Sequence, residues 1–230
     1  MPATFRSAVV VAGFAVWCLT LAVPAWAGTL RGTVRFVGTA VEQKKLVVTV
    51  DQSVCGRDKD AEDLSVSADK GIRNVVVSLQ LPPSDVKWTA APVQMDQKQC
   101  VFVPRVVLVP AGGVVEFLNG DRLLHNLRGQ TKDNPSFNRT QPKGRTIPIL
   151  FKTPEIIRID CDLHPWMRAW VVVAEHPFYV LTGDQGEFVL DDVPPGNHTL
   201  RLWHETLGTL TRPITVTAGS TTVNVEMGKR

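Results

Sequence analysis

Residues 155–174 read EIIRIDCDLHPWMRAWVVVA, two β-prone runs on either side of a short polar loop. Ile156, Ile157 and Ile159 precede the loop, and Val171, Val172 and Val173 follow it. Their branched side chains are stiff at χ1 and suit a pleated surface better than a helix. Strands are therefore expected at 155–161 and 169–174, with the loop between them. Moving outward, the same character recurs at 30–37, 46–50, 72–81, 106–109, 114–118, 178–181, 187–190, 199–204, 213–216 and 221–227, punctuated by Gly, Pro, Asn and Asp. In the last run Val223, Val225 and Met227 alternate with Thr222, Asn224 and Glu226, the pattern of a strand with one wet face. No helical period competes after residue 27. Many short strands with frequent turns predict an all-β chain built as sandwiches or barrels.

The N-terminus differs. Arg6 is followed by an uncharged apolar run from Ala8 to Val23, and Ala25-Trp26-Ala27 has the small-x-small form that a signal peptidase cleaves. The run is short for a spanning helix and ends at Pro24, so residues 1–27 are expected to be a cleavable signal peptide, with no stable membrane insertion afterwards. Export implies the periplasm or secretion. Residues 28–230 suffice for two small β domains. The divisions expected are an N-terminal β region at 28–95, a chemically rich middle at 96–176 and a compact strand-and-turn series at 177–230. Pro82-Pro83 through Pro92 forms a linker or long turn. A formal charge of +3, with Lys and Arg scattered along the chain, excludes the basic stripe of a nucleic-acid binder.

Cysteine usage narrows the chemistry. Cys18 leaves with the signal, which leaves Cys55, Cys100 and Cys161 in an oxidising compartment, where two are expected to pair. Cys161 alone has a ligand-like context, so Cys55 is paired with Cys100. Cys161-Asp162-Leu163-His164-Pro165-Trp166-Met167 offers a thiolate, an imidazole and a thioether on one loop between strands. Two His, one Cys and a weak axial Met make the ligand set of an electron-transfer copper site. His125, after the strand at 114–118 and the turn Asn119-Gly120-Asp121, supplies the second imidazole, and the amide of Asn126 would hydrogen-bond the Cys loop and brace the site. Zinc fits less well because Met is a poor zinc ligand. Cysteine-nucleophile catalysis lacks an orienting group or oxyanion hole.

Phe102-x-Pro104, Gly113-Val114-Val115-x-Phe117-x-Asn119-x-Asp121, His125-Asn126 and the Cys161/His164/Met167 loop together resemble the cupredoxins. The short C-x-x-H-x-x-M loop with Pro after His is most similar to amicyanin, within a family that includes plastocyanin. The resemblance covers about residues 96–175. It implies a Greek-key sandwich with one Cu(I)/Cu(II) ion at one end, His125, Cys161 and His164 equatorial, and Met167 axial. It also implies a partly exposed His164 in an apolar patch of Leu123, Leu163, Pro165 and Trp166, where redox partners, a donor and an acceptor, would dock. Leu124 departs from the Pro that many relatives carry before the first His.

Thr182-x-Asp184-x-x-Gly186-x-Phe188-x-Leu190 and Val193-Pro194-Pro195-Gly196-x-x-Thr199-Leu200 resemble the carboxypeptidase regulatory-like (prealbumin-type) β-sandwich, a second and smaller sandwich that implies no catalysis. Strands around 32–34 and 74–79 are expected to complete it, which would make the copper segment an insertion. The whole pattern also resembles proteins labelled methylamine utilisation proteins. His176, His198 and His204 are taken as structural. The resulting expectation is an exported one-electron carrier, not an enzyme. Copper delivery or storage, and a structural or carbohydrate-binding scaffold with a degenerate site, are the alternatives.

Overall fold

The computed structural model describes residues 27–39, 44–81 and 88–229. The signal-peptide expectation, apart from Ala27, and residues 82–87 of the linker lie outside the described residues. In chain order the elements begin with β1 (Gly28–Phe36), β2 (Lys45–Val47), the short helix α1 (Gln52–Cys55), β3 (Asp58–Asp60) and β4 (Val76–Gln80). Nine strands follow without a helix between them: β5 (Val93–Lys98), β6 (Val101–Val103), β7 (Val106–Pro110), β8 (Gly113–Asn119), β9 (His125–Gln130), β10 (Phe137–Gln141), β11 (Ile147–Phe151), β12 (Glu155–Asp160) and β13 (Arg168–Ala174). The chain ends with β14 (Tyr179–Leu181), β15 (Glu187–Val193), β16 (Gly196–His204), β17 (Gly208–Val216), β18 (Ser220–Thr222) and β19 (Val225–Met227).

The all-β class expected from the sequence is what the structure shows, as two sandwiches. In the first, the sheet β10-β9-β12-β13-β7 faces the sheet β11-β8-β5-β6. Their inner faces share one core that includes Phe102, Val115, Phe117, Leu127, Phe151, Ile157, Ile159 and Val171. In the second, β15-β1-β18, with β19 also on β1, faces β14-β4-β16-β17, over a core that includes Leu30, Val34, Leu79, Phe188, Leu200 and Leu202. The second sandwich thus draws β1 and β4 from before the first sandwich and β14 to β19 from after it. The expected boundary at residue 96 falls inside β5, which pairs with β6 and β8. Between the sandwiches Trp170 and Trp203 meet edge to face at 5.1 Å, and Arg105 reaches across to both carboxylate oxygens of Glu205.

Several strands escape the apolar-run reading: β3, β5, β6, β9, β10 and β11. In β5 the sequence Val-Gln-Met-Asp-Gln-Lys hides its inward face, because one inward residue is polar. Gln97 is fully buried and donates to Gln141 Oε1 at 2.5 Å. Strand β9 carries Gly129 where Phe137 of the neighbouring strand lies across it. A Cβ there would fall 2.3 Å from the ring, so only glycine fits. The single strand expected at 221–227 is instead two. Asn224 Oδ1 takes the Thr33 N–H at 3.1 Å, which interrupts the pairing with β1 between β18 and β19.

At the other end of β12, Glu155 closes the 132–134 turn. Burial pushes its carboxyl pKa up, but the Asn134 side chain and the backbone N–H groups of Lys132, Asp133 and Asn134 outweigh that and hold it below the ordinary value. A depressed folded-state pKa stabilises above the unfolded pKa and is lost as pH falls through the folded one. Glu155→Gln is therefore expected to destabilise by about 1 kcal/mol near neutral pH, the worth of a partly screened charge-assisted hydrogen bond. Denaturant titrations of both proteins should converge in acid. A pH-independent difference would reject this account.

Candidate metal centre

Strands β9 and β12 are antiparallel neighbours, with Asp160 opposite Arg128, so the start of one and the end of the other arrive side by side. His125 opens β9, and Cys161 is the first residue after β12. The loop that follows Cys161 is closed by two backbone bonds, Met167 N–H to His164 O at 2.9 Å and Cys161 N–H to Met167 O at 3.3 Å. It turns His164 back over Cys161. Pro165, with its fixed φ, follows directly.

The three side chains converge. His125 Nδ1 and His164 Nδ1 are 2.9 Å apart, and Cys161 Sγ lies 3.9 Å from the first and 3.5 Å from the second. All three residues are buried, with His125 and His164 at 0% exposure. The centre of this triangle is about 2 Å from each corner, the length of a metal–imidazole bond. Cys161 is a free thiol, whereas Cys55 and Cys100 form the expected disulfide. Burial raises the Cys161 pKa, opposed by the backbone N–H of Asn126, which points at the sulfur from 3.5 Å. Burial likewise lowers the His125 pKa, against the hydrogen bond to Asp121.

Hydrogen bonds at the far ring atoms fix how the imidazoles are presented. His125 Nε2 is 2.9 Å from Asp121 Oδ2, and His164 Nε2 is 3.1 Å from Asp51 Oδ2. An imidazole whose Nε2–H donates to a carboxylate bears its lone pair on Nδ1. Two such lone pairs then face each other beside a sulfur. That arrangement is repulsive unless a cation or a shared proton occupies the space, and a soft N₂S set suits copper. The residues therefore fit the metal that the sequence implied.

Asn126 holds the Cys loop from outside. Its Oδ1 accepts the Asp162 N–H at 2.5 Å, and its Nδ2 donates to Asn138 Oδ1 at 2.7 Å and to Asp162 Oδ2 at 3.2 Å. Met167, the last residue of the loop, is buried in the core of the first sandwich. His176 and His204 are engaged structurally. His176 Nε2 donates to Leu79 O at 3.0 Å, while His204 Nδ1 accepts the Thr206 N–H at 3.2 Å and burial pulls its pKa down to about 4.

One expectation needs correction. His164 is not partly exposed. Asp51 covers its outer nitrogen, and Trp166 packs on its ring at 5.3 Å. Of the expected patch, Leu163 and Pro165 are exposed, while Leu123 and Trp166 are partly buried against the core. Leu124 adds to the exposed apolar surface, at 46% beside 45% for Leu163. Sequence reasoning also missed the carboxylate partners. Asp121 stands four residues before His125 and was available as a signal. Asp51 is 113 residues from His164, and no local pattern marks it.

No family model matches the chain, and no curated protein matches it. Among solved structures, the copper-containing nitrite reductase from Thermus scotoductus SA-01 is similar over 41% of this chain and 25% of its own length, at 25% identity and a TM-score of 0.35. This chain thus spans about a quarter of that protein. A purple cupredoxin from Nitrosopumilus maritimus is similar over 36% of this chain and 99% of its own, at 20% identity and a TM-score of 0.32. A reduced Cu(I) form of an amicyanin variant is similar over 43% and 98%, at 18% identity and a TM-score of 0.34.

Proposed function

We propose that this chain is an exported blue-copper protein that carries single electrons, with His125, Cys161 and His164 as equatorial ligands and Met167 as the axial one. The observation that supports it most directly is the buried triangle of two Nδ1 atoms and one thiol sulfur, with each Nε2 committed to a carboxylate. When bound, copper supplies a Cu(II)/Cu(I) couple. The chain's own residues hold its ligands still. Asp121 and Asp51 orient the two rings, the Asn126 N–H stabilises the thiolate, and the surrounding core excludes water. A site so braced changes little between oxidation states, which is what fast electron exchange needs. Donor and acceptor would approach the rim beside His164, at Leu124, Leu163 and Pro165.

With one centre of this kind among the described residues, carriage of electrons fits better than oxidase or reductase chemistry. Delivery of copper fits less well, since His125, Cys161 and His164 are at most 2% exposed and ligand exchange would be slow. The second sandwich, similar to carboxypeptidase regulatory-like modules, is assigned a scaffold role.

The deciding experiment adds Cu(II) to the metal-free protein and records the visible spectrum. An intense blue or green charge-transfer band that bleaches reversibly with ascorbate is expected, and a protein that stays colourless would reject the assignment. Met167→Leu is expected to keep the colour and raise the reduction potential, because the axial ligand tunes it. An unchanged potential by voltammetry would remove Met167 from the axial position.

A further inference from the structure

Asp51 sits in an unusual place for a residue that touches a candidate metal ligand. It precedes α1, and its backbone is in the left-handed region at φ 51° and ψ 33°. A non-glycine residue holds that conformation only where its surroundings over-determine it. Its side chain is 54% exposed, so its bond to His164 competes with water. A helix of four residues has no stability of its own. Something else must hold the Asp51–Cys55 segment over the centre.

The Cys55–Cys100 bond does so. It joins the end of α1 to the turn between β5 and β6. That turn is itself part of the centre's support. The N–H groups of Gln99 and Cys100 donate to Asp121 at 2.6 and 2.8 Å, and Cys100 O accepts the Trp166 indole N–H at 2.9 Å. The covers of both imidazoles therefore meet at one covalent bond. Cys100, Asp121 and His125 also bring ligand-type atoms within 4.8 Å of one another. The sulfur is in the disulfide, however, and the Asp121 oxygens already accept three hydrogen bonds. That cluster is a brace, not a second site.

We propose that Asp51 is a positioning residue that seats and covers His164, and that the Cys55–Cys100 disulfide is the clasp that keeps it there. Access to the centre is then set by a segment outside both sandwich sheets. With the clasp closed, His164 is held and Cys161 is shielded. In its absence, as in a variant lacking both cysteines, the Asp51–Cys55 segment lifts and the ligands become reachable.

The test needs no metal. Cys161 in the metal-free protein is alkylated with iodoacetamide, and its rate is followed by mass spectrometry of the Cys161 peptide. Asp51→Gly removes the carboxylate while tolerating the left-handed backbone, and Asp51→Asn keeps an acceptor for the His164 N–H. Asp51→Gly is expected to react on the order of tenfold faster than the parent, the factor for one lost hydrogen bond in a local opening, and Asp51→Asn close to the parent. Cys55→Ser/Cys100→Ser is expected to react at least as fast as Asp51→Gly. Adding Asp51→Gly to it should bring no further gain, because both changes release the same segment. Parent-like rates in Asp51→Gly, or effects that multiply in the combination, would overturn the proposal. Should the double serine variant fail to fold, the Asp51→Gly and Asp51→Asn pair still decides.

A second arm, which rests on the copper assignment, loads the proteins with Cu(I) and times its transfer to a bathocuproine chelator. The same order of rates is expected, and equal rates would overturn the proposal. A parent that shows no copper band fails the copper assignment alone, and the alkylation rates still decide for or against the clasp.

Discussion

Cys161→Ser is expected to leave a protein that folds but never turns blue. The colour of such a site comes from charge transfer between thiolate sulfur and Cu(II), and a serine hydroxyl has neither the soft donor nor the accessible anion. Cys161 is the one free thiol among the described residues, so no neighbouring sulfur can replace it. The substitution nearly conserves volume at a buried position, and the core around it, including Leu127, Ile159 and Ala169, is otherwise unaltered. Circular dichroism should therefore match the parent while the band disappears entirely. A retained band of parental intensity would place the copper elsewhere and dismantle the ligand triangle.

The second large effect concerns the disulfide. Cys55 and Cys100 are 45 positions apart, and closing a loop of that length restricts the unfolded chain by about 4 kcal/mol in the chain-entropy account. Cys55→Ser/Cys100→Ser is expected to lose on the order of that amount, and the unfolding midpoint of the first sandwich should fall by roughly 16–32 °C. The loss acts through the unfolded state, yet it also removes the anchor of α1, so the native end near Asp51 loosens as well. Urea titration of parent and variant checks this. A difference below about 1 kcal/mol would mean that the unfolded chain is already restricted there by other contacts.

The candidate site was legible because a donor set of thiol, imidazole and thioether leaves a compact trace. Cys161, His164 and Met167 fall within one heptapeptide, and their residue types are informative together although each alone is commonplace. The disulfide was legible by counting, since the expectation of export leaves three cysteines after residue 27, and setting Cys161 aside as the expected ligand leaves a single pair. The strands were legible where both faces or one full face are apolar, as at 169–174. They were not legible in β5, β9 and β10, where buried positions hold Gln97, His125, Asn126 and Gln141. Hydrogen bonds to specific partners make burial of such residues acceptable, and those partners lie on other strands.

By itself, the chain's residue order determined the all-β class, the cysteine pairing and the residue types of the candidate site, because alternation, cysteine number and loop spacing are local or countable. Only the tertiary structure decided that His164 is sealed and not open. That outcome depends on Asp51, brought across 113 positions by a helix too short to stand alone and tied down by a bond to a different turn. Contacts of that kind belong to the packed whole, where a half-exposed carboxylate and an imidazole are neighbours only once two sheets have closed and a third segment has been pinned over their end.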